Sequence, residues 1–294
     1  MKVRVAIPHF IREIQGGGGY GSGRIGAQLP RSIALGRCLS ALLALRRSPG
    51  ETELRHSSRS IGRIPALPDP DQRVERIELD IHVWTNGTDL LKDVLALYAD
   101  RISIHAVQLD NPKLLPIHTR DWLIQQEPIA DLSIYMEEDI VISDPLFLDK
   151  QLWFLERTDH KAVLMPHRFE PHPSDGEARF LVDGPLPERL ICRFHTPRKN
   201  VACGCFRTDL EPVSFDQPFN PHSGCFVVDA EQIRYLRQQT LPQDGFVSPL
   251  ETAATLTVLQ HFLTLKPSEG HQRFLMVEHG HPSFLSCLES FPRD

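Results

Sequence analysis

Three consecutive carboxylates, Glu137, Glu138 and Asp139, stand between two apolar runs in YMEEDIVISD. Asp and Glu oxygens are hard ligands that suit Mg²⁺ or Mn²⁺, and such a cation neutralises a diphosphate. Packed this closely, the three repel one another unless a cation or a basic side chain compensates them. In an extended chain, alternation sends Glu138 to the side opposite Glu137 and Asp139, so not all three can serve one metal. A solvated acidic turn between two buried segments is the other reading of the same residues.

A second stretch with chemical potential is Gly21-Ser22-Gly23-Arg24-Ile25-Gly26, which satisfies G-x-G-x-x-G. In a dinucleotide fold that pattern begins where the first strand ends, whereas here roughly a dozen residues intervene after VAIPHF. No acidic residue closes a second strand at the required distance. The segment reads as a glycine-rich loop, either closing over a ligand or simply connecting. Further on, Ser248, Pro249 and Glu251 in VSPLETAATL spell S-x-x-E with proline at the first helical position, the pattern of a helix cap. Cys203 and Cys205 in ACGC have no second pair, so structural zinc is a weak reading and reduced, buried thiols a better one.

These residues must be positioned by regular elements, and the periodicity supplies them. KVRVAIPHF reads as a first strand and RSIALGRCLSALLALRR as a helix. Residues 48–75 are polar and rich in Pro, Ser and Arg, and read as a partly mobile surface insertion. RIELDIHVWT, ISIHAVQL and DLSIYM then alternate as strands with the helices DLLKDVLALYA, IHTRDWLIQQ and PLFLDKQLWFLERT. This alternation predicts βαβ units and a mostly parallel sheet flanked by helices. KAVLMPHRF continues as a strand, GCFVVDAEQIRYLRQ turns from strand to helix, SPLETAATLTVLQHFL is a helix, and RFLMVEHGHPSF closes with a strand. Ligands of parallel sheets bind beyond the carboxyl ends of the strands, and DLSIYM ends where the acidic triplet begins. One α/β domain over 1–294 is expected, with irregular loops in its second half.

The 294 residues carry a net charge of −6, which excludes bulk electrostatic attraction to nucleic acid or an anionic membrane. Six cysteines are too few and scattered for a disulfide scaffold. No run approaches the roughly 18 apolar residues of a membrane span, and MKVRVAIPHF is no secretory signal. A cytoplasmic protein is the expectation, and Asn86-Gly87-Thr88 then reads as a turn.

YMEEDIVISDPLF resembles the metal-binding D-x-D segment of GT-A-fold glycosyltransferases, in the E-[DE]-D form of the N-acetylglucosaminyltransferases acting on N-glycans. The resemblance implies a GT-A-like fold, residues 1–170 forming the donor half and 171–294 the acceptor half. It implies Asp139 as ligand of a Mn²⁺ or Mg²⁺ cofactor, with Glu137 and Glu138 around a nucleotide-sugar donor. Gly224, in the Ser223-Gly224 turn, would lie at the donor, before a strand flooring the acceptor side. His279 or His281 would complete the metal site. Glu251, or Asp244 in the loop before it, would take the proton from an acceptor hydroxyl in an inverting reaction. Arg168 and Glu170 would shape the acceptor pocket or form an ion pair, and Arg198 and Lys199 could meet phosphate. A Mg²⁺-dependent nucleotidyltransferase and a non-catalytic nucleotide-sugar-binding protein are the alternatives.

Overall fold

The computed structural model describes residues 1–13, 25–173, 179–207 and 211–292. The Val/Ile-rich start forms β1 (Lys2–Pro8), and α1 (Gln28–Ala44) follows. Within 48–75 lies a hairpin of β2 (Gly50–Arg55) and β3 (Ser60–Pro65), almost wholly exposed. Next come β4 (Glu78–Thr85), α2 (Lys92–Tyr98), β5 (Ser103–Ala106), α3 (Leu115–Gln125) and β6 (Leu132–Met136). Then follow β7 (Ile140–Val141), α4 (Phe147–Arg157), β8 (Ala162–Leu164), β9 (His167–Pro171) and β10 (Arg179–Leu181). After α5 (Glu188–Ile191), β11 (Arg198–Gly204) and β12 (Val213–Gln217), the chain forms β13 (Cys225–Asp229) and α6 (Ala230–Leu236). A composite helix joins α7 (Pro249–Glu251), a π turn (Thr252–Leu256) and α8 (Thr257–Leu259). β14 (Leu263–Pro267) and β15 (Met276–His279) complete the strands used below.

The central sheet runs β13-β6-β1-β4-β5, with the last four strands mutually parallel and β13 antiparallel. Its alternating side chains feed two cores. Val3, Val5, Ile7, Ile134 and Met136 pack with Leu35, Leu39 and Leu42 of α1. Ala6, Tyr135, Phe226 and Val228 face the other way, toward Ile117, Ile124, Ala253 and Val258. From β1 the chain proceeds to β4 and β5 on one side, then returns to β6 on the other. The carboxyl ends of β1 and β6 therefore flank the crevice where open α/β sheets bind ligands. Two four-stranded sheets, β10-β9-β15-β7 and β11-β12-β14-β8, complete the fold.

Three local readings are corrected. KAVLMPHRF is not one strand: it breaks at Pro166, and β8 joins β14 while β9 joins β15. Proline cannot donate to a ladder, so the break falls where pairing changes partner. The first helix begins three residues earlier than expected and ends at Ala44, leaving Arg47 to pair with Asp149. Only Cys38 and Cys225 are buried thiols; Cys192, Cys203 and Cys205 are exposed. No described helix is long and apolar enough to cross a membrane.

Candidate functional site

Glu137, Glu138 and Asp139 form a turn after β6, closed by the Ile140 N–H donating to the Glu137 carbonyl at 3.2 Å. The expected extended alternation does not apply there, because the chain reverses within the triplet. Nor is the turn solvated: the three residues are only 6–7% exposed. Two other segments pin its backbone. Glu137 N–H donates to the Gly224 carbonyl at 2.8 Å, and Gly280 N–H donates to the Asp139 carbonyl at 2.6 Å.

Each carboxylate meets its own partners. Glu138 bonds His9 Nδ1 and pairs with Arg31 in the first turns of α1. Leu91 N–H donates to His9 Nε2 at 2.9 Å, which leaves the ring proton on Nδ1, facing Glu138. Asp139 Oδ2 lies 3.6 Å from Arg31 Nη1 and 3.6 Å from His279 Nε2. Glu137 Oε1 lies 3.7 Å from His222 Nε2, whose Nδ1 bonds the Thr255 hydroxyl of the π turn at 2.7 Å.

Burial pushes the Glu137 carboxyl up to about 8, against the pull of Arg168, with Asp139 and Glu251 adding to the rise. For Asp139, burial again opposes ionisation, but His279, Arg31 and Arg168 outweigh it and hold the group below its ordinary value. His9 is held down to about 3 by burial and by Arg31. Beneath these groups, Arg168 Nε and Nη2 donate to Asp183 Oδ1 at 3.0 and 2.9 Å, and Lys266 Nζ donates to Asp183 Oδ2 at 3.0 Å. Burial raises Asp183, and the two cations more than reverse this. Arg168 is thus paired with Asp183, while Glu170 turns to His279 at 2.7 Å.

The set can be tested for a cation. Among the described residues no three His, Cys, Asp or Glu side chains converge as a ready metal cage. Mg²⁺-type sites commonly use one or two protein ligands and take the rest from phosphate and water. Asp139 and His279 fit that role. Asp139 Oδ1 is buried and makes no hydrogen bond among the described residues, and the same holds for His281 Nδ1.

Gly224 sits at φ +66°, and a Cβ there would lie 2.7 Å from Ile140 Cδ1 and 3.2 Å from Glu137 Oε2. Glu251 is half-buried, its carboxylate accepting from the Ser248 hydroxyl, while Ser248 Oγ accepts from Leu250 N–H at 3.2 Å. The cap is therefore present, and Glu251 also lies close enough to raise Glu137. Asp244 is exposed on the loop before it. Arg198 bonds Gln217, and Lys199 faces Glu269 on the exposed surface. Of the glycine-rich stretch, Gly21 to Arg24 lie outside the described residues. Asn86 and Gly87 do form a turn, with Asn86 Oδ1 accepting from Thr88 and Asp89 N–H. Thr88 and Asp89, which follow that turn, line a cleft with Ile11, Arg12, Gln28 and Leu91, and His9 links Leu91 of this cleft to Glu138.

Residues absent from the sequence reading are His9, Arg31, Asp183, His222 and Lys266. Only His9 left a signal, as a polar residue at the carboxyl end of the first apolar run, one position beyond β1.

No family model and no curated protein match the chain. Among solved structures it is similar to S. aureus TarS 1–349, at 10% identity and TM-score 0.41, over 93% of this chain and 62% of that one. TarS 1–349 in complex with UDP-GlcNAc is matched at 11% identity and TM-score 0.40, over 90% and 56%. S. aureus TarS is matched in a further structure at 11% identity and TM-score 0.43, over 92% and 35%. The chain spans less than two thirds of the length of these structures. At these scores the likeness does not extend to the chemistry of the site.

Proposed function

We propose that the chain is a metal-dependent glycosyltransferase of GT-A type, moving a sugar from a nucleotide-diphosphate donor to an acceptor hydroxyl. The observation that carries this reading is the Asp139–His279 pair, Oδ2 to Nε2 3.6 Å, at the carboxyl edge of the parallel sheet. Asp139 and His279 hold the cation, and His281 stands two residues beyond. When bound, Mn²⁺ or Mg²⁺ supplies Lewis acidity toward a departing diphosphate. Arg31, anchored on Glu138 and reaching Asp139, adds a fixed positive charge beside that position. The cleft between Ile11, Arg12, Thr88 and Leu91 takes the nucleoside, with Glu137, Glu138 and Gly224 around the donor. Glu251 is the base for an acceptor hydroxyl if the reaction inverts, and Asp244 is the alternative.

The test is thermal denaturation with Mn²⁺ and a panel of nucleoside di- and triphosphates. UDP or GDP should raise the melting temperature only with metal, and Asp139→Ala should abolish the effect. Stabilisation by triphosphates that survives Asp139→Ala would instead favour nucleotidyl transfer and sink this reading.

A further inference from the structure

His279 does not orient itself. We infer that Glu170 is a positioning residue, holding the His279 ring so that Nε2 faces Asp139 and thereby setting the affinity of this site for its cation. The inference rests on the metal reading above. β9 and β15 run parallel in the register Val277↔Arg168 and Glu278↔Phe169, which carries Glu170 alongside His279. Glu170 is fully buried, and its Oε1 accepts from His279 Nδ1 at 2.7 Å and from Phe284 N–H at 3.1 Å. In the neutral ring, the form that binds a metal, a proton on Nδ1 leaves Nε2 with its lone pair, and Nε2 is the nitrogen 3.6 Å from Asp139 Oδ2. Two further anchors prevent the strand end from sliding: His279 pairs with Ile140, and Gly280 N–H grips the Asp139 carbonyl.

The charge balance points the same way. A buried carboxylate is costly unless compensated, yet neither hydrogen-bond partner of Glu170 carries a fixed charge. The cation next along its strand, Arg168, is already bound to Asp183. Glu170 Oε2 is buried and makes no hydrogen bond among the described residues. A cation on the far nitrogen of His279 supplies the missing positive charge through the ring, the carboxylate–histidine–metal arrangement of many sites.

Mn²⁺ binding, read by electron paramagnetic resonance without substrate, tests this on wild type, Glu170→Ala, Glu170→Gln and Asp139→Asn. Both Glu170 variants should bind Mn²⁺ about 10- to 100-fold more weakly. Nitrogen NMR of the metal-free His279 ring, at a pH where it is neutral, should show the proton on Nδ1 in wild type and redistributed toward Nε2 in Glu170→Ala. Wild-type affinity in a folded Glu170 variant, while Asp139→Asn loses binding, overturns the inference and leaves the metal reading standing. Wild type and Asp139→Asn binding alike removes the metal reading and the inference with it. Should Glu170→Ala not fold, Glu170→Gln, which keeps the volume, carries the decision.

Discussion

At the scale of single residues, the site is a set of buried charges answered from several segments, with Arg31 shared by Glu138 and Asp139. Glu251 is the clearest case of two roles competing for one carboxylate. If it is the base, Glu251→Gln should abolish turnover while Mn²⁺-dependent nucleotide binding persists. Ser248→Ala should cost about 1 kcal/mol of stability, the usual value of an N-cap, and leave turnover measurable. Equal stability losses with turnover intact in both would assign Glu251 to the cap alone. His9 makes a prediction about pH. Its folded value of about 3 lies below the 6.5 of an unstructured histidine, so unfolding takes up a proton between these limits. The stability it contributes is complete above about pH 6.5 and is lost as pH falls toward 3. Urea unfolding between pH 6 and 4.5 should therefore have a pH slope about one proton, ~1.4 kcal/mol per pH unit, shallower in His9→Gln. Identical slopes would remove His9 from the acid response.

At the scale of elements, the turn after β6 holds its shape because β13 and β15 approach it closely from two directions. Gly224 meets two demands at once, a left-handed backbone and a surface without Cβ against Ile140 and Glu137. Gly224→Ala should destabilise by about 1–3 kcal/mol in denaturant titration and weaken donor binding as Glu137 moves. A variant of wild-type stability would mean that Ile140 repacks freely. The βα alternation through β6 was readable in the sequence, because hydrophobic period is a local property. The split of KAVLMPHRF was not, since β8 and β9 find partners about 100 residues away, in β14 and β15.

At the scale of the whole molecule, the β2–β3 hairpin stands apart from the site it accompanies. Among the described residues its strands pair only with each other, and Leu54 and Ile61 are 58% and 70% exposed. Its base is already closed: Ala66 N–H donates to the Pro49 carbonyl at 3.1 Å, and Arg47 and Ile77 exchange backbone hydrogen bonds. Replacing residues 50–65 by a two-residue turn should leave the melting temperature nearly unchanged and preserve nucleotide stabilisation with Mn²⁺. Loss of either would show that the hairpin supports the fold or the site.

The sequence by itself determined the α/β class, the order of most elements, and the arrival of Glu137, Glu138 and Asp139 at the carboxyl edge of a strand. These follow from side-chain periods over windows of about ten residues, which the chain encodes locally. Only the tertiary structure decided what those carboxylates touch. His9 and Arg31 reach Glu138 from more than 100 positions away, and Glu170 reaches His279 across 109. Such meetings depend on strand register and on the reversal within the triplet, and a one-residue slip would turn every side chain to the other face.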